Sequence, residues 1–294
     1  MVAFVVGLIL TWIAAGKVLT PIQSLIKTAR SISDNDLSQR IPIQGQGEMA
    51  ELATTFNHMM DSLEASFISQ RQFINDAGHE LRTPITIIRG HLELLDDDPQ
   101  ERDATISLVL DELDRMTRFV EDLIFLAKAE RREFLELGTI DIEQLTEELY
   151  SKAQGLASRK WKLEAKASGS MIGDRQRITQ AIMNLAVNAV QHTTVSDTIN
   201  LGSSLKKGYV SFWVRDTGEG IALEDQKRIF QRFARATNSR RRSEGAGLGL
   251  SIVQAIAQSH SGKVELYSQI GIGSTYTLTL PLKATIKVRE VSHI

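Results

Sequence analysis

Residues 73–84 read FINDAGHELRTP, and this stretch sits inside a regular apolar repeat. Phe67, Ile74, Leu81, Ile88 and Leu95 fall seven residues apart, the spacing of a helix that offers one seam to a partner helix. His79 stands two positions before the seam residue Leu81. At about 100° per residue it lies about 160° round the helix from the seam, so it points to solvent. Thr83 follows four residues on, on the same face as His79. Pro84 removes a backbone hydrogen bond to Glu80 and is expected to bend the helix, giving a second body access to the histidine. Asp96–Gln100 (DDDPQ) ends the helix. A second helix follows, with Ile106, Leu113, Val120 and Ala127 seven apart and Val109, Met116 and Leu123 between them. One such hairpin buries little alone and two make a four-helix bundle, so a homodimer is expected.

Upstream, Met1–Gly16 (MVAFVVGLILTWIAAG) carries no charge and Lys17 ends the run. Spanning a bilayer takes about 20 apolar residues. The run is read as the remainder of a transmembrane helix, either continued before residue 1 or short. A buried soluble helix is the alternative, and a signal peptide would want a basic leading region that is not there. After Pro21, the residues Ile22, Leu25, Ile26, Ala29 and Ile32 share one helix face. Ser33–Gly47 has the composition of a connector. A second amphipathic segment starts near Glu48 and runs through Leu52, Phe56, Met59, Met60 and Leu63.

Beyond Glu130 strands and helices mix. Phe134–Ile142 reads as a short strand and Asp141–Ala153 as a helix. Strands are expected at Trp161–Ala167, Thr198–Leu201, Val210–Arg215, Lys263–Tyr267 and Thr275–Leu280. Helical patterns cover Asp174–Gln191 and Leu248–His260. The mixture predicts an α/β domain.

Four segments of this domain carry polar chemistry. In DRQRITQAIMNLAVNAVQHT (174–193), Asn184 and Asn188 are four apart, so both amides share a helix face while Ile178, Ala181, Ile182 and Leu185 face the core. An Asn side-chain oxygen is a hard ligand suited to Mg²⁺. DTGEGI (216–221) follows a strand; Asp216 can accept from an exocyclic amine, and Gly218 and Gly220 allow backbone to approach a flat base. Ile221 closes that segment. GAGLGL (245–250) precedes a helix, and around Gly245, Gly247, Leu248 and Gly249 the backbone N–H groups can cradle phosphate. GIGST (271–275) joins two strands and offers the Thr275 hydroxyl. Taken singly, each also fits a cap or a turn. No GxxxxGK[ST] occurs, so there is no P-loop.

FINDAGHELRTP closely resembles the phosphoacceptor box of bacterial sensor histidine kinases. The order of Asn box, D-x-G-x-G, Phe230 and Phe233, G-x-G-x-G and G-x-G-S-T resembles their ATP-binding domain, whose fold is shared with the gyrase, Hsp90 and MutL ATPases. The helix, connector and helix after the apolar run resembles their HAMP linker, with Pro21 and Glu48 at the usual positions. The resemblance implies a transmembrane helix at 1–16 and a HAMP linker at 17–69. A dimerising histidine hairpin at 70–131, an α/β sandwich ATP-binding domain at 132–284 and a tail at 285–294 would follow. It implies ATP and Mg²⁺ as cofactors, His79 as phosphoacceptor and Glu80 as its proton acceptor. Thr83 would position water for the reverse phosphatase reaction. Asn188 would hold Mg²⁺ with support from Asn184, Asp216 would recognise adenine, and 223–244 would be a mobile lid. A response regulator receiver domain and membrane lipid are the implied partners, with the kinase domains on the cytoplasmic side of a bacterial membrane.

Two positions stand out against the family pattern. Hydrolysing ATPases of this fold carry Glu where Asn184 stands, and Asn has no carboxylate to activate water, so the phosphoryl group is expected to pass to a side chain. The family often has Lys or Arg where Gln191 stands, followed here by His192. Both are kept as nucleotide contacts, with Arg235 or the run Arg240–Arg242 as further sources of positive charge.

The whole composition excludes several alternatives. The 294 residues carry 34 basic and 36 acidic side chains, a net charge of −2 that gives no global pull toward nucleic acid. The 240–242 basic run is short and lacks interleaved aromatics, so nucleic acid is not an expected partner. With no cysteine, disulfides and thiolate metal sites are excluded.

Overall fold

The computed structural model describes residues 1, 4–9, 12, 37–43, 47–95, 98–129, 135–234 and 247–283. The chain divides into two compact units, residues 1–79 and 80–294.

In the first unit residues 4–9 are helical and exposed. Among the described residues no helix is long and apolar enough to cross a membrane. Most of the apolar run, Pro21 and the helix read at 22–32 lie outside the described residues. The second linker segment begins helix α1 (Glu48–Glu93), which continues through the histidine box without a break near residue 69. Residues 37–43 run alongside it as the connector reading expects. Asn57 clamps that segment at both backbone groups of one residue: its Oδ1 accepts from Ile41 N at 2.9 Å and its Nδ2 donates to Ile41 O at 2.9 Å. Arg40 Nε donates to Asp61 Oδ1 at 2.8 Å, and Ile41, Ala53 and Met60 are buried beneath. His79 is exposed, as its heptad phase predicts.

In the second unit α1 runs on across Pro84 to Glu93, and α2 (Pro99–Ala129) starts within the DDDPQ segment, at its proline. Pro99 sits in the first turn, where a missing N–H costs nothing. Asp98 Oδ1 accepts from Gln100 N at 3.0 Å. Asp96 and Asp97 lie outside the described residues. The seam residues Ile106, Leu113 and Val120 are 40–44% exposed in the single chain. Val109, Met116 and Leu123 are partly covered.

The α/β part contains β1 (Gly138–Asp141), α3 (Ile142–Gln154), β2 (Lys160–Ala165), β3 (Ser170–Gly173) and α4 (Arg175–Gln191). There follow β4 (Thr198–Lys206), β5 (Tyr209–Asp216), a 3₁₀ turn (Arg228–Phe230), α5 (Gly249–Ser259), β6 (Lys263–Gln269) and β7 (Gly273–Pro281). The main sheet has the order β2-β4-β5-β7-β6, antiparallel except for the β2–β4 pair. β1 and β3 form a small antiparallel sheet. β3 escapes a sequence pattern because four residues including Gly173 show too little alternation. The strand read at 134–142 reduces to Gly138–Asp141, since Ile142 opens α3 and Phe134 lies outside the described residues.

Alternation sets the layers. Val210, Phe212, Val214 and Asp216 of β5 point inward, and Tyr209, Ser211, Trp213 and Arg215 point outward. Ile178, Ile182 and Leu185 of α4 and Ile252 and Ile256 of α5 meet that inner face with no exposure. The result is the predicted α/β sandwich.

Replacing the fully buried Leu185 with Ala removes contacts on that face and leaves a cavity. A loss of about 2–5 kcal/mol in urea-induced unfolding is expected.

Candidate nucleotide site

Helix α4 carries the site because its two faces are unlike. Its start is fixed by Asp174, whose Oδ1 accepts from Arg177 N at 3.0 Å and whose Oδ2 accepts from Glu136 N at 3.0 Å. Asp174 N donates to His260 Nε2 at 3.0 Å, tying α4 to the end of α5. Burial holds the His260 imidazole below its ordinary pKa, which suits this acceptor role.

With the apolar face buried, Asn184 and Asn188 face away from the core. Asn184 Nδ2 donates to Gly249 O at 3.4 Å, and Asn188 Nδ2 donates to Tyr276 Oη at 3.3 Å. Each amide nitrogen is therefore turned to the protein, and the opposite Oδ1 is the atom that a cation would take. No cluster of three or more acidic or histidine side chains suited to a metal occurs among the described residues. Amide oxygens of this kind are hard donors, the type a phosphate-bound cation takes.

Asp216 ends β5, and its Oδ1 accepts from Gly218 N at 2.9 Å and Ser274 N at 3.2 Å. Burial pushes its carboxyl upward, and these two amides act against that shift. The glycines of this loop approach the protein itself rather than leaving room for a base. A Cβ on Gly218 would lie 2.1 Å from His192 O, and Gly220 has φ +70° with Gln269 O in the same position at 2.0 Å. His192 Nδ1 lies 2.8 Å from Glu219 Oε1, joining the end of α4 to the loop. The start of the expected lid is held down: Gln226 Nε2 donates to Ile221 O and Ser268 O at 3.0 Å. Phe233 N donates to Gly247 O at 3.1 Å. Arg235, Arg240–Arg242 and Gly245 lie outside the described residues.

These groups open on a cavity of about 520 Å³. Asn184, Asn188, Gln191, His192, Gly220, Ile221, Gly247, Leu248 and Gly249 line it from the α/β part. Glu80 and Thr83 line it from α1, and Arg115, Arg118 and Asp122 from α2. Asp216, Gly218 and Phe230 are not part of the lining; Phe230 packs edge-on against Tyr276, with ring centroids 6.3 Å apart.

Thr275 requires a correction. Successive strand side chains alternate, and Thr275 points to the outer face of the sheet, where its Oγ1 accepts from Arg215 Nε at 3.3 Å. The hydroxyl that reaches the cavity belongs to the next residue, Tyr276. Its parity with Leu278 and Leu280 could have revealed this. Arg115, Arg118 and Asp122 left no such signal, because nothing in the heptads says what packs on the outer face of α2.

Three family models match the chain: the HAMP domain at 13–65, the His Kinase A phospho-acceptor domain at 69–132, and the histidine kinase-, DNA gyrase B- and HSP90-like ATPase at 173–284. The probable sensor histidine kinase TcrY of Mycobacterium tuberculosis is 33% identical over 289 residues, covering 90% of this chain and 61% of TcrY. The chain belongs to the two-component sensor histidine kinases. It spans between about half and two thirds of the length of the curated relatives it matches. Among solved structures, Acinetobacter baumannii histidine kinase AdeS is 25% identical with a TM-score of 0.56, covering 69% of this chain and 98% of that one. Full-length ShkA in complex with AMPPNP is 27% identical with a TM-score of 0.55, covering 72% and 45%.

The α2–α4 contact holds an unusual carboxyl. Asp122 Oδ1 accepts from Gln180 Nε2 at 3.4 Å, and Arg177 stacks 4.8 Å over the Phe125 ring. Burial, aided by neighbouring Glu121, raises Asp122 from 3.8 to about 6. The folded protein thus binds this proton more tightly than the unfolded chain. Its contribution is fully present below pH 3.8 and is lost as pH rises through about 6. Asp122→Asn keeps the acceptor and removes the charge. The variant should match wild type in Tm at pH 4 and exceed it at pH 8. Discounted for partial solvation to about 1 kcal/mol, the gain is about 2–4 °C by calorimetry.

Proposed function

We propose that this chain uses ATP to phosphorylate His79 and passes the phosphoryl group to an aspartate of a response regulator. The observation that carries the proposal is the single cavity into which α4 turns Asn184 and Asn188 while α1 supplies Glu80 and Thr83. His79 is the residue before Glu80, exposed on the same helix.

One nitrogen of the His79 ring attacks the γ-phosphorus of ATP, the bond to the β–γ bridging oxygen breaks, and ADP leaves. Glu80 accepts the proton from the other ring nitrogen, so the ring ends neutral rather than as a phosphorylated imidazolium. Asn188 and Asn184 would hold Mg²⁺ through Oδ1; the ion supplies charge neutralisation on the phosphates when bound. Gln191, His192 and the backbone around Gly247–Gly249 face the same space and offer donors to phosphate oxygens. Leu248 and Ile221 add apolar surface to its lining. The family resemblance assigns adenine to Asp216, whose Oδ1 is oriented by Gly218 N and Ser274 N. Asn184 brings no carboxylate to activate water, which favours transfer to a side chain over hydrolysis.

The uncovered Ile106, Leu113 and Val120 seam is the surface for a second copy of the chain, and the pair of hairpins would form a four-helix bundle. Thr83 would serve the reverse reaction by orienting water toward a regulator's phosphoaspartate. The apolar run at 1–16, followed by the linker, supports anchoring in a bacterial membrane with the other domains in the cytoplasm.

With labelled ATP and Mg²⁺, wild type should acquire acid-labile, base-stable label, and His79→Gln should acquire none. Equal labelling of that variant would overturn the assignment. Asn188→Asp and Asp216→Asn should each lower the labelling rate on the order of 100-fold, measured by phosphoprotein autoradiography.

A further inference from the structure

Tyr276 is a side chain that neither the motif reading nor the family comparison assigns. It is 1% exposed, on the inward register of β7, with Phe230 packed edge-on against its ring. Among the described residues its polar partner is Asn188, whose Nδ2 donates to Tyr276 Oη at 3.3 Å.

An Asn side chain has two ends of nearly equal shape and opposite character. Only the Oδ1 end can take a cation; the Nδ2 end repels it. Asn188 presents Oδ1 to the cavity at least cost when Nδ2 has an acceptor in the wall behind. The wall at this point is the Phe230–Tyr276 pair, and Oη is the acceptor it provides. Phenylalanine at 276 would fill the same space and leave a partly buried N–H₂ with nothing to donate to, a cost that falls on the cation-competent orientation.

We infer that Tyr276 is a positioning residue that holds the Asn188 amide with Oδ1 toward the metal–phosphate site. The inference rests on the reading of Asn188 as an Mg²⁺ ligand. It sets Tyr276 apart from a residue that only fills the core, because its effect depends on the cation.

The test is nucleotide binding, with no turnover required. The Kd for a fluorescent ATP analogue is measured on the whole chain for wild type and Tyr276→Phe, once in Mg²⁺ and once in EDTA, with the Tm of each protein recorded. In Mg²⁺ the variant should bind about 2- to 10-fold more weakly, the effect of one lost neutral hydrogen bond. In EDTA the two proteins should bind alike. Equal weakening in both conditions, or no change in either, overturns the inference while leaving the metal reading intact. If Mg²⁺ does not tighten binding to wild type at all, the metal reading itself fails, and the role of Tyr276 falls with it.

Discussion

Asp174 joins three parts of the α/β domain at one point. Its carboxylate caps α4 and takes the amide of Glu136, and its own N–H is accepted by the buried His260 at the end of α5. This node sets where α4 begins. The apolar stripe of Ile178, Ile182 and Leu185 then sets its rotation, because any turn about the axis would bring Asn184 or Asn188 into a dry core. Every other feature of the site is placed relative to those two amides. Gly249 and Tyr276 meet their nitrogens, and the cavity lies beyond them.

The loops that complete the site are built from close backbone contacts, which explains their glycines better than ligand access does. Gly218 and Gly220 each lie where a side chain would strike a carbonyl oxygen of the protein. The D-x-G-x-G loop thereby lies flat against the end of α4 and the β6–β7 turn, with Asp216 locked beneath it.

The histidine hairpin has the opposite economy. Its seam is left uncovered in one chain, while the outer face of α2 gives Arg115, Arg118 and Asp122 to the cavity and a partly buried contact to α4. The second linker segment and the histidine box lie on one helix, Glu48–Glu93.

Much of this was legible in the chain itself. Heptad phase was enough to put His79 on the outside, the DDDPQ run to end its helix, and the four-residue spacing of Asn184 and Asn188 to put both on one face. These are local periodicities, and a helix obeys them wherever it packs. The motif order was likewise sufficient to name the family. Strand parity at Thr275 and Tyr276 was present but overridden by the motif, which drew the hydroxyl to the wrong residue. What only the tertiary structure decided is which distant groups share a wall: Tyr276 with Asn188, 88 residues apart, and Asp122 with Gln180, 58 residues apart. The reason is physical. A periodic sequence states which side of an element is apolar, but a polar pair across a fold depends on the register and rotation of two packed bodies. Those are fixed only when the core closes.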